Sequence, residues 1–188
     1  MGEDESFRLR KALKAIVTLR DQLAGEKEKS KEPIAVVSMA CRFPGGVRTP
    51  EELWEMLDAG RDVITEIPKS RFDIEPLFDA NPEAIGKSYT RWGGFVGEVD
   101  CFDAAFFGIS PKEAKSIDPQ ERLLLETCWE LFERKGMTST QLAGSATGVY
   151  VGISANEYLS DGRMHHDTIN AYSLLGTAHS AVVGRLSY

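Results

Sequence analysis

The feature that most constrains this chain is a break in character at residues 32–33. Up to Glu32 the sequence is proline-free and densely charged, with eight basic and seven acidic side chains. From there Pro33-Ile34-Ala35-Val36-Val37-Ser38-Met39-Ala40 is almost wholly apolar. A short run that is apolar on both faces reads as a fully buried strand of the central parallel kind. The expected division is therefore residues 1–31, a helix and its linker, and residues 32–188, an α/β body.

In the leading segment Leu9, Leu13, Ile16 and Leu23 recur close to the helical period, with Ala12, Val17 and Leu19 beside them. This predicts an amphipathic helix over roughly residues 5–24. Glu3, Asp4, Glu5 and Ser6 suit its positive end, and Gly25 is the expected stop before the charged link 26–32. A single apolar stripe of this length is marginal alone in water, so something must cover it. Either the helix folds back on its own domain or it pairs with another chain, and the solvated link favours pairing. The short heptad pattern is interrupted by Arg20, and between Arg8 and Arg20 there are five basic groups and no acid. An acidic partner flanking an apolar stripe fits best. The expected interface residues are Leu9, Leu13, Ile16, Arg20 and Leu23.

The body opens as strand, loop and helix. Thr49-Pro50-Glu51-Glu52 supplies a cap, a first-turn proline and two acids ahead of Leu53-Trp54-Glu55-Met56-Leu57. Residues 60–110 read as a long structured connection with short strands near Tyr89 to Val96. Ser110-Pro111 caps a further helical region that runs to Gly136, split in two at Asp118-Pro119 because proline disfavours a helical residue before it. Thr147 to Ile153 is a second buried-strand candidate. A last helix is expected over residues 171–183, where Gly176, Ser180 and Gly184 at steps of four predict a close approach by a neighbour.

Composition removes several function classes. With 22 Lys+Arg against 29 Asp+Glu the net charge is −7, the opposite of a nucleic-acid footprint. Apolar runs of about four residues are far short of the ~20 that a membrane span needs, and the acidic N-terminus is unlike a signal peptide. A cytoplasmic protein is expected. Cys41, Cys101 and Cys128 are too widely spaced for a zinc site or a disulfide framework and read as buried small hydrophobes. His165-His166-Asp167 reads as an exposed loop rather than a metal site.

These blocks are also where the sequence becomes familiar. Glu32 to Gly46, Leu53 to Leu57 through Pro68, Gly93-Gly94-Phe95 to Phe102-Asp103-Ala104-Ala105-Phe106-Phe107-Gly108-Ile109-Ser110-Pro111, Asp118 to Glu126 with Trp129-Glu130, Thr147 to Gly152 and Gly184 to Tyr188 follow in order. Together they resemble the opening of the ketosynthase (beta-ketoacyl synthase) domain of modular type I polyketide synthases. The resemblance implies a thiolase fold, a homodimer, and acyl-chain extension by decarboxylative Claisen condensation. It implies a phosphopantetheine arm delivered by an acyl carrier protein and no cofactor bound by this chain. It also implies that the leading helix docks the C-terminal docking helix of an upstream subunit. The family's nucleophilic cysteine and two histidines are expected beyond Tyr188, so no catalytic residue is assigned here. A non-catalytic docking or scaffold piece, or a split ketosynthase, is the alternative.

Overall fold

The structure is a computed structural model and describes residues 2–29, 33–155, 157–158 and 171–188. It divides into two compact units, Met1–Val37 and Ser38–Tyr188. The first unit is built on helix α1 (Gly2–Lys29). Gly25 does not end this helix as expected. The subsequent Glu26-Lys27-Glu28-Lys29 are strong helix formers, and they offset the roughly 1 kcal/mol that a mid-helix glycine costs.

The second unit obeys its local signals closely where those signals are caps. Helix α2 (Pro50–Asp58) begins at Thr49, whose hydroxyl accepts the Glu52 N–H at 3.2 Å, while the Glu52 carboxylate accepts the Thr49 and Arg48 N–H groups at 3.0 and 2.7 Å. This reciprocal box satisfies donors that a helix start leaves open. Those same backbone donors hold the Glu52 carboxyl below its usual range. Helices α3 (Pro111–Ala114) and α4 (Pro119–Lys135) are separated as predicted, with Asp118 accepting the Gln120 N–H at 2.8 Å. Gly136 closes α4 in the left-handed conformation at φ 74°. A one-turn helix α5 (Ser139–Leu142) comes next, capped by Thr138.

Between α2 and α3 the long connection contains one antiparallel pair, β1 (Thr65–Glu66) with β2 (Trp92–Gly93), in register Thr65 opposite Gly93. Arg91 ties it down by pairing with Glu66 at 2.5 Å and with Glu75, while its guanidinium lies 5.0 Å from the Phe78 ring centre.

Two expected strands are not strands here. Residues 33–40 and 147–153 carry no ladder, and Ile34, Val36 and Tyr150 are 95%, 78% and 96% exposed. A strand apolar on both faces needs hydrogen-bonded neighbours and two covering layers, and among the described residues neither segment has them. Among the described residues the buried apolar side chains are Val47, Met56, Ile74, Ile117, Leu125 and Val182. The expected single helix over 171–183 is instead α6 (Ala171–Leu175) and α7 (His179–Ser187), broken at Gly176.

Gly176 explains the break. Its carbonyl accepts the Asp118 N–H at 2.7 Å, and a Cβ built on it would lie 2.2 Å from the Ser116 carbonyl oxygen. The predicted close approach is real at Gly176 and absent at Gly184, where a Cβ would meet nothing within 4 Å. Gly176→Ala is therefore expected to destabilise the second unit by about 2 kcal/mol through overpacking against backbone. Gly184→Ala should leave stability within about 0.5 kcal/mol or raise it slightly. Urea denaturation of both variants checks the contrast.

Candidate functional site

Helix α1 presents the residues expected to form an interface. At 3.6 residues per turn, positions 9, 13, 16, 20 and 23 fall within about a quarter of the helix circumference. Leu13, Ile16, Arg20 and Leu23 are exposed, as are Val17 and Leu19. Leu9 lies on the same arc of backbone, and its side chain is outside the described residues. From Arg8 to Arg20 the helix carries five basic side chains and no acidic one.

In the second unit a groove of about 730 Å³ runs between the Arg42–Arg48 turn, residues 96–107 and α4. Its aromatic wall is a chain of ring contacts: Phe102 stacks on Phe107 at 5.3 Å, Phe107 meets Phe106 edge-on at 5.0 Å, and Phe106 meets Trp129 at 4.8 Å. The turn is anchored by Arg42, which grips the Glu130 carboxylate with both terminal nitrogens, one of them at 2.7 Å. The same guanidinium donates to the carbonyls of Cys41 and Arg48 at 3.0 and 3.1 Å. The Glu130 hydrogen bonds push the Arg42 pKa up, so its charge is permanent. Gly45, at φ 80°, packs so tightly that a Cβ would lie 2.4 Å from Val63.

A second ionic cluster joins α3, α4 and α7. The Arg185 guanidinium lies 2.8 Å from Glu113 on α3 and 2.7 Å from Glu121 on α4. Glu121 is 1% exposed. Sequence reasoning missed both this cluster and the Arg42–Glu130 pair. The signal for Glu121 was present: it stands one turn before the buried Leu125 on a face where helical periodicity calls for an apolar residue. Arg42 and Glu130 are 88 residues apart, and local pattern carries no sign of such a pairing.

Cys41 and Cys128 are not activated thiols. Burial pushes the pKa of Cys41 and of Cys128 above the ordinary thiol value, which keeps both protonated at neutral pH. Both are half-buried, whereas Cys101 is exposed, a correction to the expectation that all three are buried. His179 is the first residue of α7, and His165, His166 and Asp167 are outside the described residues. Among the described residues, no group of three His, Cys, Asp or Glu is placed to hold a metal ion, and no helix is long and apolar enough to cross a membrane.

Comparison with known proteins gives consistent results. The family model for the beta-ketoacyl synthase N-terminal domain matches residues 31–188. Polyketide synthase GfsB of Streptomyces halstedii is 49% identical over 158 residues, covering 84% of this chain and 3% of that protein. The spectinabilin polyketide synthase system protein NorC of Streptomyces orinoci is 46% identical over 191 residues, covering all of this chain and 8% of that protein. The chain thus spans a small fraction of the curated relatives it matches. Among solved structures, the oxazolomycin ketosynthase domain OzmH KS7 of Streptomyces albus superposes with a TM-score of 0.73 at 37% identity, covering 81% of this chain and 26% of that one.

The fork-shaped contact of Arg42 makes a specific demand. Lysine retains the charge but cannot grip both carboxylate oxygens and two carbonyls at once. Arg42→Lys is expected to destabilise the second unit by about 1–2 kcal/mol, and thermal unfolding of the variant against the parent chain checks it.

Proposed function

The chain belongs to the beta-ketoacyl synthase family, as its N-terminal domain with the beginning of a thiolase-type fold, and we propose that it serves a modular polyketide synthase subunit in acyl-chain extension. The family match over residues 31–188, reinforced by 37% identity to a solved ketosynthase domain, is the observation that carries this reading. In the proposed reaction a cysteine thiolate takes the growing acyl group as a thioester from an acyl carrier protein. A malonyl-type extender on a second carrier loses carbon dioxide, and its enolate carbon attacks the thioester carbonyl, releasing the thiolate. No residue of this chain is assigned the role of that cysteine or of an assisting histidine, and the phosphopantetheine arms arrive as part of the carrier-protein substrates. The raised thiol pKa values of Cys41 and Cys128 support a structural role for them, because a thioester-forming cysteine needs its thiolate.

Residues 1–31 are proposed as a docking helix and linker ahead of the ketosynthase portion 32–188. The exposed stripe on α1 and its basic run support an acidic helical partner, the C-terminal docking helix of an upstream subunit. The match to NorC extends through this segment, so the helix is not foreign to the family's subunits. A homodimer, as implied by the ketosynthase resemblance, would carry two such helices.

Two outcomes are expected. The 188-residue chain supplied with acyl- and malonyl-loaded carrier proteins should form no carbon–carbon bond, since its thiols are not the nucleophile; product above background by mass spectrometry would contradict this assignment. Leu13→Asp with Ile16→Asp should weaken binding to an upstream C-terminal docking helix by at least 100-fold, because each buries a charge in the interface. Calorimetric titration reads the effect, and unchanged affinity would overturn the docking role.

A further inference from the structure

Glu121 has no part in docking or in the condensation, yet it is the most deeply placed charged side chain described in the chain, at 1% exposure. Neither of its oxygens has a hydrogen bond. Arg185 Nε approaches Oε1 to 2.7 Å, but without the alignment of a hydrogen bond, and the same guanidinium is engaged at 2.8 Å by Glu113. A single arginine is therefore shared between two carboxylates, with a third, Asp118, at the start of the same helix as Glu121. The groups facing Glu121 are Arg185 and His179 from α7, Glu113 from α3 and Asp118 from the α4 cap. Beside it lies a cavity of about 10 Å³ lined by Asp118, Glu121, Thr177 and His179, room for at most one water molecule. Solvent cannot compensate a full negative charge there, whereas a proton can reach it through that opening.

We propose that Glu121 is a proton-linked latch between α4 and α7: carrying its proton it lets the two helices stay packed, and ionising it loosens α7. The balance of charges carries the argument. Arg185 is shared with Glu113, and the Asp118 carboxylate repels Glu121 as well, so a full buried charge at Glu121 is left under-compensated. Burial first, then the repulsion of Asp118 and Glu113, outweigh the attraction of Arg185 and push the Glu121 pKa up to about 7. In an unfolded chain the same carboxyl titrates near 4.5. The folded state thus holds the proton more tightly. Stability from this group is complete below about pH 4.5, declines as pH rises, and is lost above about pH 7. Val182, 4% exposed on α7, is where loosening would be felt in the core.

The test uses the whole 188-residue chain. Carbon-13 carboxyl NMR, with the Glu121 signal assigned by its disappearance in Glu121→Gln, tracks the titration of that group in the native state. It is expected to titrate near neutrality; titration in the ordinary range of a solvated glutamate would overturn the latch. In urea, the unfolding equilibrium constant of the parent chain should rise at least tenfold between pH 5 and pH 8, and Glu121→Gln should abolish that rise. An unaltered rise in the variant would also overturn the proposal. If Glu121→Gln fails to fold, the native titration decides, with the signal assigned by through-bond correlation. Amide exchange at Val182 and Val183, corrected for intrinsic rates, should show protection falling across the same pH interval. The docking and condensation readings stand or fall independently of this outcome.

Discussion

The second unit depends on a short stretch of backbone where two segments cross, residues 116–118 and Gly176. The Asp118 N–H donates to the Gly176 carbonyl at 2.7 Å, and Gly176 lies so close to Ser116 that no side chain fits. This contact fixes the start of α4, since Asp118 is also its cap, and it fixes the break between α6 and α7. Ile117, fully buried, fills the space beneath. Arg185 then ties α7 to α3 through Glu113 and lies against the buried Glu121 of α4. Backbone contact and ionic cluster both act on α4 and α7, and Glu121 is held between them at 1% exposure.

What was legible in the sequence separates cleanly by range. Caps and breaks are local: the Thr49, Ser110 and Asp118 starts and the Gly136 stop each depend on side chains within one turn, and each formed where the residues predicted. Segments 33–40 and 147–153 carry an equally clear signal, but it is a signal of surroundings. Apolar residues on both faces state that a strand will be covered and paired, and no local force makes the pairing. Gly25 shows a different limit. A glycine stops a helix when contacts from the next few residues stabilise a left-handed cap, and a run of Glu and Lys stabilises continuation instead.

Function was legible through ordered blocks rather than through any reactive residue. The Arg-Phe-Pro-Gly-Gly block at 42–46 and Trp129-Glu130 lie far apart in sequence, yet Arg42 binds Glu130 and thereby sets one wall of the groove. That pair holds the architecture rather than performing chemistry. Cys41 and Cys128 make the same point from the opposite direction, because burial raises their pKa instead of lowering it.

The two halves of the chain also use charge in opposite ways. On α1 the basic side chains from Arg8 to Lys27 are exposed, where water and salt screen their charge. Around Glu121 the charges are desolvated, and each additional ion must be compensated within a few ångströms. An excess of basic groups therefore costs α1 little, while an excess of a single carboxylate is consequential between α4 and α7. The sharing of Arg185 between Glu113 and Glu121 leaves that excess in place, and protonation is the one neutralisation that requires no movement of the helices.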